Sequence, residues 1–324
     1  MHETVKTLGV DAPVIFDTSD GQQLRINTVN TFLKKHFGRK MIKLSLDGGF
    51  TCPNRDGSKG TGGCLFCSAS GSGDMASGSG DITADLSSQI KLLSDKWPDA
   101  GYLAYFQSHT NTYAPVSELH SKFYAALEYP GISGIAIATR PDCLPDDVID
   151  LLAEINEKTF MWVELGLQTI HEKTAANMNL CYTVRDYDNA VKKLSNKKIP
   201  VVAHLILGLP GENREMMLSS VRHVCSSGIS GIKLHMFNLV KGSRMEKFYP
   251  EYISFSSIEE YTDLVIEALE LIPPEIVVHR ISGDAPRSTL IYPEWSYMKR
   301  TILNNIHKTM RERNTWQGRR SATP

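Results

Sequence analysis

Two hydrophobic periods alternate along this chain from Met41 onward. Short runs at 41–46, 102–106, 134–138, 161–167, 201–207, 231–237 and 277–281 are apolar or alternate apolar with polar, and read as strands. Between them lie stretches with apolar residues three and four apart. These predict helices over 82–97 (Leu86, Ile90 and Leu93 on one face), 116–127, 146–155, 185–194, 214–226 and 258–271. Pro145-Asp146-Asp147 opens one helix, Ser256-x-x-Glu259 caps another, and Pro273-Pro274 ends it. A short helix over 29–37 precedes the repeat, a last one over 295–312 follows it, and residues 1–24 form a lead-in without a sustained period. Repeated strand–helix units with buried strands predict an α/β fold with a parallel sheet. Right-handed crossovers wind such a sheet into an open or partial barrel. In parallel barrels the chemistry sits at the C-terminal ends of the strands.

Composition narrows the setting. The 324 residues are 41% hydrophobic and 22% charged, as in globular domains. No run approaches the ~18 apolar residues of a membrane span, and residues 1–24 lack the apolar core of a secretory signal. Six cysteines with no framework spacing fit a reducing cytoplasm. The net charge of −1 gives no global pull on nucleic acid. Two local groups are basic: Lys34, Lys35, Arg39, Lys40 and Lys43, and then Lys299, Arg300, Lys308, Arg311, Arg313, Arg319 and Arg320 against Glu312. Either can grip a phosphate backbone or be a solvated face.

Candidate chemistry begins directly after the strand at 41–46. Cys52, Cys64 and Cys67 follow in the spacing C-x11-C-x2-C on a glycine-rich loop. Closely spaced thiols in a reducing compartment are metal ligands before anything else. A zinc site needs a fourth ligand from elsewhere. A four-iron cluster held by three cysteines keeps one iron open for a ligand the chain does not supply. A Gly/Ser-rich stretch, 68–81, comes next; it reads as a disordered insertion or as a mobile segment beside the cofactor.

The three-cysteine loop after a first strand, with Phe66 before the last cysteine, resembles the radical S-adenosylmethionine (radical SAM) enzymes. The run FGRKMIKLSLDGGFTCPNRDG…GGCLFC is similar to their YhcC/YtqA branch, and the likeness extends from about residue 25 to 317. The spacing departs from the commoner C-x3-C-x2-C. The resemblance implies a partial (β/α)6 TIM-type barrel with N- and C-terminal extensions, a [4Fe-4S] cluster on Cys52, Cys64 and Cys67, and S-adenosylmethionine on its open iron. It also implies a one-electron reductant such as flavodoxin or ferredoxin. Residues 1–38 are then a lead-in and basic helix, 39–285 the barrel, and 286–324 a basic helical extension packed on the same domain.

Polar residues gather where the strands end. Gln107, His109, Thr110 and Asn111 stand where the family binds the cofactor's amino group, although the usual double glycine and acid are absent. In TRPDC, Arg140 and Asp142 can make charge-assisted hydrogen bonds to substrate, and Cys143 reads as a buried structural thiol. In WVELGLQT, Glu164, Gly166 and Gln168 share one strand face. A carboxylate in a barrel lumen is costly unless paired, which points Glu164 and Gln168 at the cofactor. Gly208, in the LGLPGE turn, lies near the adenine in related enzymes, or is there because a tight turn needs glycine. His204, Lys233 and His235 are inward-facing candidates for catalysis. His279, Arg280 and Asp284 form a candidate substrate site, with Arg311 and Arg313 of the basic tail as phosphate contacts.

The motifs T-R-P-D, E-x-G-x-Q and G-L-P-G-E are also similar to the radical domain of the elongator catalytic subunit, which modifies C5 of the tRNA wobble uridine. By that resemblance the expected substrate is tRNA. The reaction would convert carboxymethylaminomethyl to aminomethyl, ahead of a methyltransferase that completes 5-methylaminomethyl-2-thiouridine. Two rivals are a radical SAM enzyme with another substrate and a zinc- or cluster-stabilised RNA-binding protein. A methylthiotransferase's second three-cysteine cluster finds no counterpart in Cys143, Cys181 and Cys225, which are dispersed.

Overall fold

A computed structural model describes residues 16–17, 23–68, 71, 76, 78–283 and 285–321. Two-residue strands β1 (Phe16–Asp17) and β2 (Gln23–Leu24) pair antiparallel ahead of α1 (Val29–Phe37). The repeat then runs β3 (Met41–Leu46), α2 (Ile82–Ser94), β4 (Gly101–Phe106), α3 (Val116–Leu127), β5 (Ile132–Thr139), α4 (Asp146–Lys158) and β6 (Phe160–Gln168). It continues through α5 (Glu172–Asn177), α6 (Val184–Asn196), β7 (Val201–Leu207), α7 (Arg214–Ser226) and β8 (Gly231–Met236). After β9 (Leu239–Val240), α8 (Arg244–Phe248) and α9 (Ile258–Leu271) comes β10 (Val277–Arg280). The strand β11 (Leu290–Tyr292), a 3-10 turn over Glu294–Tyr297 and α10 (Lys299–Glu312) follow.

Seven strands lie in the order β10-β8-β7-β6-β5-β4-β3, every neighbouring pair parallel. Each crossover steps in the same direction, so the sheet curls into a partial barrel as expected, with β10 as a seventh strand beyond six βα units. The edges β3 and β10 do not pair with each other. Helix α1 lies against both, and Thr28 bridges to Val278. One face of the strands (Leu44, Phe106, Ile135, Val163, Leu205, Leu234) packs under the outer helices. The other face lines the lumen, whose base is plugged by Leu33, Met41, Leu103, Trp162 and Val202. No helix of the described residues is long and apolar enough to cross a membrane.

The elements that patterning misplaces are short or irregular. The helix expected over 82–97 stops at Ser94, and that over 295–312 breaks at Met298 into a 3-10 turn and α10. The cap of α9 sits one residue later than expected. The Ser257 side chain accepts from the Glu260 N–H at 3.1 Å, and the Glu260 carboxylate accepts from the Ser256 N–H at 2.7 Å. The elements α5, α8 and the β9–β11 ribbon are too short to show a period. Most of 1–24 and parts of 68–81 lie outside the described residues.

Both basic groups are reshaped by packing. Lys34, Lys35, Arg39 and Lys40 sit at the N-terminal ends of the strands, away from the end that carries chemistry in parallel barrels, and Lys43 turns into the lumen. In the tail, Arg313 pairs with Asp263 at 2.6 Å and Arg320 with Glu270 at 3.5 Å, both acids of α9. Gln317, fully buried, donates to the Pro273 and Ile276 carbonyls at 2.9 and 2.8 Å. Its oxygen accepts from the Asn27 N–H at 2.8 Å, so the tail fastens the entry of β10.

Candidate active site

A cavity of about 420 Å³ opens at the C-terminal ends of the strands. Cys52, Cys64 and Cys67 all line it, together with Phe66. The loop that carries them is tied down at several points. The Cys52 carbonyl accepts from the Arg55 N–H at 2.8 Å, and the Cys67 N–H donates to the Cys64 carbonyl at 3.1 Å. The Leu65 N–H reaches the Met178 carbonyl, and the Met245 N–H of α8 reaches the Leu65 carbonyl. Two sulfurs have donors of their own: Asn54 Nδ2 lies 3.6 Å from Cys64 Sγ, and Arg140 Nη1 3.8 Å from Cys52 Sγ. Among the described residues no three His, Cys, Asp or Glu side chains converge as ligands of one metal ion. A cubane asks something different, one thiolate on each of three irons, and three thiols on one cavity wall fit that donor set.

Deeper in the lumen stands a buried charged network. Glu164 of β6, 2% exposed, accepts from Tyr105 Oη at 2.6 Å and from Trp162 Nε1 at 3.0 Å. Lys233 Nζ of β8 also bonds this carboxylate and donates to Tyr105 Oη at 3.0 Å. Lys43 Nζ of β3 lies 3.9 Å from the other oxygen. Burial opposes ionisation of Glu164, but the two lysines prevail and hold it well below the usual carboxylate range. Burial lowers Lys233 to about 7 against the pull of Glu164, so this amine can give or take a proton near neutrality. Burial likewise brings His204 down to about 3 and His235 well below its ordinary value, leaving both rings neutral.

The wall above is rich in groups without protein partners. His204 Nε2, His235 Nδ1, Gln168 Oε1 and both polar atoms of the Asn238 amide are buried and unbonded. Buried polar atoms seldom stay unpaired, so these mark where a polar ligand belongs. The end of β6 is shaped for it. The register slips between Gly166 and Gln168, and Gln168 takes a left-handed φ of 69°. A Cβ on Gly166 would lie 2.5 Å from Gln168 Nε2, so the glycine makes room for that amide. Amine, carboxylate, ribose and adenine are the kinds of groups that such a set of orphaned donors and acceptors can hold.

The comparisons with known proteins bear on the same residues. The Radical SAM superfamily profile matches residues 55–224, and the Radical_SAM C-terminal domain matches 229–312. YtqA of Bacillus subtilis (strain 168) is 48% identical over 300 residues, covering 91% of this chain and 92% of its own. The chain belongs to the radical SAM superfamily. YhcC of Escherichia coli (strain K12) is 38% identical over 90% of this chain and 94% of its own. Human elongator complex protein 3 is 26% identical over 51% of this chain and 31% of its own. Among solved structures, Elp3 of Methanocaldococcus infernus superposes with a TM-score of 0.64 at 16% identity, over 86% of this chain and 64% of that one. Methylornithine synthase gives 0.53 at 13% identity, over 89% and 86%; both show the shared fold. Its cofactors are therefore a [4Fe-4S] cluster and S-adenosylmethionine.

Within this radical SAM barrel, the expected residues divide. Gln107, Thr110, Arg140, Gln168, His204, Lys233, His235 and Arg280 line the cavity with the cysteines, and so does Glu164. For Glu164 the argument changes: the partner its burial demanded is Lys233, not the cofactor. Asp142 is a correction. It faces a separate outer groove and grips Arg140 at 3.0 and 2.9 Å and Lys59 at 2.7 Å, so it steadies Arg140 from outside the cavity lining. His279 is a second, sitting below the cavity with its ring 5.2 Å from that of Trp162. Gly208 is a third: outside the lining, at φ 87°, its missing Cβ would stand 2.6 Å from the Phe255 ring. Packing and turn geometry account for it. Arg311 and Arg313 on α10 do not line the cavity either, and Asp284 lies outside the described residues.

Some site residues were missed in the sequence. Tyr105 sits in a wholly buried strand with no alternation to expose it. Lys43 was legible, since MIKLSL puts it on the face opposite Leu44 and Leu46. Tyr182, 4.9 Å from the Arg140 guanidinium, and Asn238 carry no local signal. Cys143 is buried, its thiol pushed up to about 12 chiefly by that burial, in keeping with a structural role.

Two outcomes follow from this geometry. Gly208→Ala should lose about 1–2 kcal/mol to backbone strain alone, plus the Phe255 clash, with cluster content unchanged; urea unfolding and iron analysis measure both. Arg140→Met removes a positive donor beside Cys52. The reduction potential of the reconstituted cluster should fall, as followed by spectroscopic redox titration; an unchanged potential would free Arg140 of that role.

Proposed function

We propose that this radical SAM enzyme acts on tRNA at C5 of the wobble uridine, converting a carboxymethylaminomethyl group to aminomethyl. The observation that carries this reading is the kinship with elongator complex protein 3 over half the chain. A cavity of about 420 Å³ suits a cofactor with one extruded nucleoside entering from the open end. When bound, the cluster and S-adenosylmethionine supply a 5′-deoxyadenosyl radical, which abstracts hydrogen from an unactivated C–H.

The chain's part is to bind and to orient. The substrate carbon between amine and carboxylate loses a hydrogen atom, then one electron and a proton, giving an imine that water splits into the primary amine and a two-carbon aldehyde acid. The electron given up balances the one spent on cofactor cleavage, so S-adenosylmethionine is the net oxidant. Lys233, bonded to Glu164 and Tyr105, and neutral His204 orient the substrate at the cavity floor, and the released proton passes to water. A flavodoxin- or ferredoxin-type carrier would prime the cluster in the cytoplasm, and a tRNA methyltransferase would consume the product. The test is nucleoside analysis of tRNA from a strain lacking the gene. Carboxymethylaminomethyl-uridine should accumulate while its aminomethyl and methylaminomethyl descendants vanish. An unchanged nucleoside profile removes the tRNA reading.

A further inference from the structure

The network at the cavity floor is charge-unbalanced in a way that a structural ion pair is not. Lys43 and Lys233 share one carboxylate, that of Glu164. Glu164 is also the one Asp or Glu among the described residues lining the cavity. Asp142 answers Arg140 from the outer groove. The remaining neighbours add no negative charge: Tyr105 is held in its phenol form by burial beside Glu164, and His204 and His235 are neutral. Two lysines on one buried carboxylate leave the network short of negative charge whenever both are protonated, and an anion answers that.

Donors converge on that spot. Lys233 Nζ has three N–H groups; Glu164 and Tyr105 take two. His204 is the cross-strand partner of Lys233 in the β7–β8 register, and its buried Nε2 has no partner. The His235 ring stands 5.4 Å from that of His204, and its Nδ1 is likewise unpaired. Neighbouring strands thus present an ammonium and an imidazole to the same cavity, one for each oxygen of a carboxylate.

We propose that Lys233 and His204 form the seat of a substrate carboxylate, with Lys233 as its counter-charge while Glu164 stays paired with Lys43. This rests on the reading above in naming the carboxylate as that of the carboxymethylamino group, but the seat stands for any carboxylate-bearing substrate of the same depth. Seated there, the carboxylate fixes the adjacent carbon and lets the enzyme reject a substrate that lacks the group, because Lys233 and His204 are then left unpaired.

Two arms test it on the reconstituted holoenzyme under anaerobic conditions. In the first, Lys233 is dimethylated with formaldehyde and a mild reductant, and the modification is quantified by peptide mass spectrometry. Millimolar N-methylglycine should slow labelling of Lys233 severalfold, N-methylglycinamide should not, and S-adenosylmethionine alone should leave it unchanged. Equal labelling with the acid and the amide overturns the proposal. Protection by S-adenosylmethionine equal to that by N-methylglycine overturns it too, since the carboxylate seated there is then the cofactor's. In the second arm, an anticodon stem-loop bearing carboxymethylaminomethyl-uridine is compared with its methyl ester. Wild type should favour the acid by about tenfold to a hundredfold, as a charge-assisted hydrogen bond gives. Lys233→Met should lose that preference and Lys233→Arg keep part of it. Protection in the first arm without preference in the second leaves the carboxylate seat standing and removes the tRNA reading. Preference without protection overturns the seat at Lys233.

Discussion

Changing Cys52, Cys64 or Cys67 to alanine should abolish cofactor cleavage outright. The three thiols share one cavity wall, and the assignment gives each of them one iron of the cluster to hold. Anaerobic reconstitution of the wild type should give about four irons per chain. The triple variant should hold none of them and form no 5′-deoxyadenosine. Changing Cys143, Cys181 and Cys225 should leave iron and cleavage intact. Cys143 and Cys225 have their thiols pushed up to about 12, chiefly by burial. Cys181 points at Asn54 Oδ1, 3.2 Å away, and does not line the cavity. Roughly one zinc per wild-type chain, with no iron, would refute the assignment.

Glu164→Ala should be the most destabilising single change in the lumen. It leaves Lys233 and Lys43 facing each other without their counter-charge, along with two unpaired donors on Tyr105 and Trp162. Breaking a buried pair in this way costs about 3–5 kcal/mol. Urea unfolding at neutral pH should show a loss of that order, and the Glu164→Ala, Lys233→Met double variant should recover part of it. The pH dependence has a definite sign. A carboxylate whose folded-state value is depressed contributes fully above its unfolded value, about 4.3, and loses that contribution as pH falls through the folded one. The gap between wild type and variant should therefore persist in mild acid and close only well below it. A loss under about 1 kcal/mol would mean that water, and not the lysines, satisfies Glu164.

Much of this arrangement could be read along the chain because barrel strands expose it. Alternation in the runs at 161–167 and 201–207 put Glu164 and His204 on lumen faces, and the order of strands and helices set the barrel; Lys43, counted with a basic surface group, turns into the lumen instead. What failed was depth and pairing. Alternation says which face His279 is on, but not that it lies below the cavity against Trp162. The partner of Glu164 is a lysine 69 residues further on, joined to it only when β6 and β8 curl toward one lumen. Asp142 read as a binding group because its polar neighbour Arg140 did; only the fold shows that one holds the other. The basic tail carries less unpaired charge than its sequence suggests. Acids of α9 about 50 residues earlier neutralise Arg313 and Arg320, and a linear count cannot see that.

One reaction addresses the central claim most directly. Reconstituted protein is mixed anaerobically with S-adenosylmethionine, a reductant and tRNA bearing carboxymethylaminomethyl-uridine, and both products are counted by mass spectrometry. The account predicts 5′-deoxyadenosine and aminomethyl-uridine in equal amounts, both lost in the triple cysteine variant. 5′-Deoxyadenosine formed at the same rate with and without tRNA, with the uridine unchanged, would contradict it.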